Sequence, residues 1–241
     1  MNTQFVPRGT LTINHWSLTI KKVLPTTDNL LLGRQLRCPE GELAKEIGDY
    51  IFASNRNMIM RTIDSLSLSK THQLLEIGFG NAAHLAYLLD RAPQLCYTGV
   101  ERSIAMYQEA TALYKELIAQ EKAVFLLAPD GNLPTLPHRR FELCLMVNIH
   151  YFIPNLQAYF QQLYELLSPK AQLVMGYIDL EFGKRMPFTK EVFTFYTNEE
   201  LQALLLSAGF KDFEWHPFTE EILTKHNTYI TRPFWVMEAR K

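Results

Sequence analysis

The chain has 241 residues, 47% of them hydrophobic, and a formal net charge of −1. That composition suits one α/β domain with additions, and the charge balance gives no pull toward nucleic acid or an anionic membrane. Three scattered cysteines, Cys38, Cys96 and Cys144, make neither a disulfide framework nor a zinc pattern. No apolar run reaches membrane-spanning length and no secretory h-region opens the chain, so a cytoplasmic protein without a bound metal is the expectation.

Taken in order, Met1 to Leu36 shows little periodicity. Thr10 to Val23 alternates enough for a short strand or hairpin anchored by Trp16, ended by Pro25 and the Thr-Thr-Asp run. After Pro39 a helical stripe of Leu43, Ile47, Tyr50, Ile51 and Ser54 continues through Met58, Ile59, Thr62, Ile63 and Leu66. Residues 1–68 are therefore expected as an arm and a helical segment packed on a core formed by 69–241. Gln73–Ile77 reads as a buried strand that ends in Gly78-Phe79-Gly80. The two glycines turn the chain, and a helix is expected from about Asn81 to Arg91, its first N–H groups and positive dipole end facing the turn. Leu95–Glu101 is a second strand ending in a carboxylate. Ser103 caps a helix carrying Ile104, Met106, Tyr107, Tyr114, Leu117 and Ile118.

Val124–Leu127 and Phe141–Val147 are the third and fourth strands. The fourth is almost wholly apolar, as a central parallel strand covered on both faces should be. A helix over Leu156–Leu167, a strand over Gln172–Ile178, a helix over Asn198–Ala208 stopped at Gly209, and strands over Asp212–Trp215 and Phe234–Ala239 complete the series. The alternation predicts a three-layer, Rossmann-like, doubly wound α/β sheet with right-handed crossovers. Ligands of such sheets lie outside the carboxyl ends of the strands, and Gly78, Glu101, Asp130 and Asn148 all fall there.

The glycine turn admits several readings. Gly78, Gly80 and Ala83 satisfy the dinucleotide pattern G-x-G-x-x-A. Glu76, two residues before Gly78, equally suits an S-adenosylmethionine site, and a tight strand–helix turn without a ligand satisfies the same letters. Glu101 stands 101 − 76 = 25 residues beyond Glu76, where a carboxylate can accept both hydroxyls of a ribose lying across the strand tips.

Five ordered segments carry a resemblance. Leu74-Leu75-Glu76-Ile77-Gly78-Phe79-Gly80 resembles motif I of class I S-adenosylmethionine-dependent methyltransferases, and Glu101 matches their ribose-binding acid. Ala128-Pro129-Asp130-Gly131-Asn132-Leu133-Pro134 is similar to their adenine segment, and Phe141 to Tyr151 to the motif IV strand and loop. Phe195 to Leu201 with Ser207 to Phe210 resembles the tail of the small-molecule branch that methylates ubiquinone precursors. The likeness departs at Ala82, Pro129 and Ser168-Pro169-Lys170-Ala171. It implies a seven-stranded sheet whose last strand is antiparallel, residues 1–68 as an N-terminal arm and helical lid over the substrate pocket, S-adenosylmethionine as cofactor with S-adenosylhomocysteine as product, and a small-molecule methyl acceptor rather than nucleic acid.

The implied cofactor residues are Glu76 near the amino group, Gly78 and Gly80 beside the methionine portion, Glu101 on the ribose, Asp130 and Gly131 at the adenine, and Asn148 after the fourth strand. His150 and Tyr151 are the catalytic candidates on the substrate side, His150 as the one placed to be a general base. Two other readings stay open: an NAD(P)-dependent oxidoreductase, although no Tyr-x-x-x-Lys occurs, and a catalytically degenerate S-adenosylmethionine-binding module.

Overall fold

The computed structural model describes residues 28–68, 73–136, 140–223 and 228–241; the expected strand or hairpin over Thr10–Val23 lies outside them. The described chain runs α1 (Asn29–Arg37), α2 (Ala44–Asp64), β1 (Gln73–Ile77), α3 (Leu85–Arg91), β2 (Cys96–Glu101), α4 (Ile104–Leu113), α5 (Lys115–Ala119), β3 (Ala123–Leu127) and β4 (Phe141–Val147). It continues with a 3-10 turn (His150–Phe152), α6 (Leu156–Leu166), β5 (Leu167–Ile178), α7 (Leu180–Arg185), a second 3-10 turn (Pro187–Thr189), α8 (Asn198–Ala208), β6 (Lys211–Leu223) and β7 (Tyr229–Arg240).

The seven strands form one sheet in the order β3-β2-β1-β4-β5-β7-β6. β1 to β5 are mutually parallel. β7 enters antiparallel between β5 and β6, as expected. Each face of the sheet buries its own apolar layer. One contains Phe141, Tyr159, Phe160, Leu163, Leu201, Leu205 and Phe210 from β4, α6, α8 and the link between α8 and β6. The other contains Met58, Ile63, Leu85, Leu88, Ala110 and Val236 from α2, α3, α4 and β7. Leu74, Leu75, Cys144, Leu145, Leu173 and Val174 are wholly buried between them, the pattern a central parallel strand requires.

Several boundaries differ from the sequence reading for identifiable reasons. Thr-Thr-Asp is a start signal as well as a break: the Asp28 carboxylate accepts from the N–H groups of Leu30 and Leu31 and caps α1. The helix expected from Asn81 begins only at Leu85, because Ala82 sits at φ 53°, a left-handed conformation that a helix cannot propagate through. Asn81 does act locally, accepting from the Ala83 N–H and donating to Asp49 on α2. The helix after Ser103 breaks at Tyr114, whose hydroxyl donates to the Ala82 carbonyl. β6 and β7 form a hairpin longer than expected. Its ladder continues to Leu223↔Tyr229, beyond the last β5–β7 pair, Ile178↔Phe234. Pro217 and Pro233 disguise this length in the sequence; Pro233 falls just past the point where β7 loses its β5 neighbour.

α2 lies across the sheet on β4 and β5 and meets the hairpin arm. Arg232 there donates to both the Glu220 carboxylate and the Ser54 carbonyl of α2, and all three groups are largely buried. α1 packs against Pro187–Thr189. The Ser103 hydroxyl donates to the Pro39 carbonyl at 2.6 Å, fastening the α1–α2 loop to the tip of β2.

Candidate cofactor and active site

β1 ends at Ile77, and the chain turns through Gly78 and Gly80, both in the left-handed region at φ 76° and 57°. The turn is fixed to β2 from above and below. Gly78 N–H donates to the Val100 carbonyl at 2.7 Å, and Gly80 N–H donates to the Glu101 carboxylate at 2.9 Å. Phe79 points the other way, buried edge-on against Phe125. A side-chain carbon built on Gly80 would meet nothing within 4 Å, so the backbone there presents an open face. With α3 starting at Leu85, that face belongs to a loop and not to a helix N-terminus, which corrects the expectation of a dipole behind the turn.

Glu101 is buried at the tip of β2. One of its oxygens accepts from Gly80, the other from the N–H groups of Arg102 and Ser103, both at 2.8 Å. These bonds occupy three of the about four acceptor positions of a carboxylate, leaving one on the oxygen shared with Gly80. Burial raises the Glu101 pKa, with the three backbone bonds opposing that shift. Glu76 lies lower, inside the sheet layer. A single oxygen of it accepts from the Tyr97 hydroxyl at 2.6 Å and sits 2.9 Å from His84 Nε2, all three side chains being buried. Burial and then the neighbouring Glu76 push the Tyr97 hydroxyl well above its ordinary range.

Asp130 and Gly131 form an exposed turn after β3. Asp130 accepts from both the backbone and the side-chain nitrogen of Asn132, which holds it below the usual carboxylate value. The Arg102 guanidinium approaches Gly131, its Nη1 lying 3.6 Å from the position a β-carbon would take. Arg102 was not foreseen. Its signal is position alone: it follows the strand-tip acid directly.

β4 leads into Asn148, a non-glycine residue at φ 55°. Its N–H donates to Gly176 on β5, and its side-chain oxygen accepts from the Tyr151 hydroxyl at 2.7 Å. The same hydroxyl accepts from Ile178 N–H at 2.9 Å. His150 is 2% exposed, its ring packed against Tyr151, Tyr177 and Tyr196. Desolvation lowers its pKa to about 3, so it is neutral throughout the physiological range. Tyr151 is likewise interior, its ring edge-on to Phe152 and tilted against Phe193 and Phe195. The structure thus brings Gly78, Gly80, Glu101, Gly131 and Asn148 to one edge of the sheet, puts Glu76 behind the turn, and sets His150 and Tyr151 in an aromatic layer beneath Asn148. Ile149, also unforeseen, is half-buried between them with its side chain on Gly78.

Two cavities of about 200 and 230 Å³ lie elsewhere, one by Asp179, Phe218 and Trp235, the other by Asn29, Phe188 and Glu191. Neither borders the glycine turn. No helix among the described residues is long and apolar enough to cross a membrane.

Residues 74–170 match the family model described as a methyltransferase domain. No curated relative matches the sequence. Solved structures of similar fold include a chain of the complex between the Haloferax volcanii Trm112 methyltransferase activator and a putative methyltransferase, at 12% identity over 80% of this chain and 92% of that one, TM-score 0.66. A Thermotoga maritima S-adenosylmethionine-dependent methyltransferase, described as a possible histamine N-methyltransferase, is 20% identical over 80% and 94% of the two chains, TM-score 0.56. The mitomycin 7-O-methyltransferase MmcR is 14% identical over 95% of this chain and 66% of its own, TM-score 0.64.

Residues 74–170 hold a methyltransferase domain, on a fold shared with solved S-adenosylmethionine-dependent methyltransferases. That domain implies S-adenosylmethionine as the cofactor. The oxidoreductase reading gives way: β7 runs antiparallel between β5 and β6, whereas the dinucleotide fold continues in the order 3-2-1-4-5-6. The residues present fit the cofactor on two counts, the open face at Gly80 and the buried carboxylate with an acceptor position left over.

Proposed function

We propose that the chain methylates a small-molecule acceptor, with Gly78 and Gly80 beside the methionine portion of S-adenosylmethionine, Glu101 on a ribose hydroxyl, and Asp130 and Gly131 at the adenine. The observation that carries this reading is the Gly80–Glu101 bond, which ties the tips of two adjacent parallel strands into one cradle with an open glycine face. Glu76 holds that cradle from behind through Tyr97 and His84. Asn148 keeps the end of β4 turned toward it. Residues 28–68 form the cover over the core, and α2 faces the acceptor side with Tyr50, Asn55 and Asn57.

S-adenosylmethionine supplies a methyl group on a sulfonium centre. The chain's own contribution is to orient and to exclude water; holding reactants in near-attack geometry is worth up to about 7–11 kcal/mol. His150, neutral and enclosed by aromatic rings, serves this reading as a packing and positioning residue beneath Asn148. Near-neutral charge and the description of the Thermotoga maritima neighbour as a possible histamine N-methyltransferase support a small acceptor.

The test is release of S-adenosylhomocysteine from S-adenosylmethionine with a panel of small phenols, amines, thiols and quinone precursors, alongside RNA and protein acceptors. Turnover on a small molecule, with S-adenosylhomocysteine affinity reduced about tenfold or more in Glu101→Ala, is the expected result. Turnover confined to RNA or protein removes the small-molecule reading. Unchanged affinity in Glu101→Ala removes the site.

A further inference from the structure

The two glycines of the turn differ in what lies over them. A side-chain carbon on Gly80 would meet open space, whereas one on Gly78 would come within 2.1 Å of Ile149 Cδ1 and 2.5 Å of Ile149 Cγ1. The Ile149 side chain therefore lies directly on the Gly78 backbone. Two groups cannot share that volume, so a ligand portion passing over Gly78 must displace it.

The loop that carries Ile149 is fastened on both sides. Asn148 N–H donates to the Gly176 carbonyl at 2.8 Å, the Asn148 side chain accepts from Tyr151 Oη, and that hydroxyl accepts from Ile178 N–H. His150 is enclosed by aromatic rings. With the backbone held, the part free to move is the Ile149 side chain, which is half-buried and has alternative staggered rotamers.

We propose that Ile149 is a gating residue of the cofactor site: its side chain covers Gly78 and must rotate off before the methionine portion of S-adenosylmethionine can lie across the turn. This rests on the reading that Gly78 borders the methionine portion. A covered and an uncovered arrangement in equilibrium reduce the apparent affinity by the fraction uncovered. The reduction applies only to ligands with a methionine tail. Adenosine, which has the ribose and adenine but no tail, sits clear of Gly78 and escapes it.

The experiment compares S-adenosylhomocysteine and adenosine binding to wild type, Ile149→Val and Ile149→Ala by calorimetry, with stopped-flow association rates and a melting curve for each variant. The expected result is S-adenosylhomocysteine binding about fivefold tighter in Ile149→Ala, with faster association, a smaller gain in Ile149→Val, and adenosine affinity unchanged. Equal or weaker S-adenosylhomocysteine binding in Ile149→Ala overturns the gate and makes Ile149 a fixed wall of the site. A parallel gain for adenosine overturns it as well, since that reports general loosening. If Ile149→Ala does not fold, the sign of the change in Ile149→Val decides. If neither wild type nor the variants bind S-adenosylhomocysteine, the placement of the cofactor falls, and the gate with it. If wild type binds and only the gain is missing, the gate alone falls.

Discussion

At the residue scale, His150 and Glu101 show how burial separates two titratable groups at the carboxyl edge of one sheet. Glu101 is desolvated but keeps three backbone donors, so its carboxylate stays useful as an acceptor. His150 is desolvated among rings that offer its charged form little. The sign of the stability effect follows. The folded-state pKa of about 3 lies below the unfolded value of 6.5, so between those limits the unfolded chain binds a proton that the folded chain does not. Stability from this group is complete above pH 6.5 and drains away as pH falls. From pH 7.5 to 5 the loss is about 2 kcal/mol. Urea unfolding of wild type and His150→Phe at pH 7.5 and 5 is expected to show a smaller acid loss in the variant, whose ring fits the same aromatic surroundings. Parallel losses would mean that His150 is solvated or charged in the folded chain.

At the element scale, the β6–β7 hairpin runs past the sheet and is fastened to α2 by one buried group. Arg232 reaches Glu220 across the ladder and the Ser54 carbonyl on α2, with side-chain exposures of 9% and 7% for the two charged partners. Removing one partner of such a pair leaves an uncompensated buried charge and costs about 3–5 kcal/mol. Glu220→Ala is therefore expected to lower the melting temperature by about 10 °C, and Glu220→Leu with Arg232→Met to recover most of it. A shift within about 2 °C for the single variant would show the pair to be solvated. This staple was not legible in the sequence, because nothing local marks residues twelve apart as partners across a hairpin interrupted by Pro217 and Pro233. What was legible shares a physical origin: β1, β2 and β4 announce themselves by apolar runs buried on both faces, and α8 by its stop at Gly209, whereas its capping box of Thr197 with Glu200 emerges only in the structure. The glycine turn and Glu101 were legible because strand tips are marked where an apolar run ends. Ala82's left-handed backbone, which delays α3 to Leu85, and Ile149's resting place on Gly78 depend on contacts between distant segments that no local pattern carries.

At the scale of the whole molecule, the candidate cofactor residues come from four places in the chain: the turn after β1, the tip of β2, the loop after β3 and the end of β4. Those strands are adjacent in one sheet, with apolar layers packed on both faces, and separating any of them opens a core. A ligand held by all four stabilises the folded chain as a unit, not one loop of it. Binding to the folded state alone adds about 2.7 kcal/mol at a hundredfold excess over Kd. In a domain of this size each kcal/mol moves the melting temperature by roughly 2–4 °C. S-adenosylhomocysteine at that excess is thus expected to raise it by about 5–10 °C, adenosine by an amount set by its own weaker affinity, and NADH not at all. The measurement is a thermal melt followed by far-ultraviolet circular dichroism, which reports the sheet and helices together. A rise with NADH equal to that with S-adenosylhomocysteine would return the glycine turn to a dinucleotide. A melt unmoved by S-adenosylhomocysteine, at a concentration where calorimetry registers binding, would mean that the ligand contacts a segment outside the cooperative core and that the four strand-end positions do not hold it jointly.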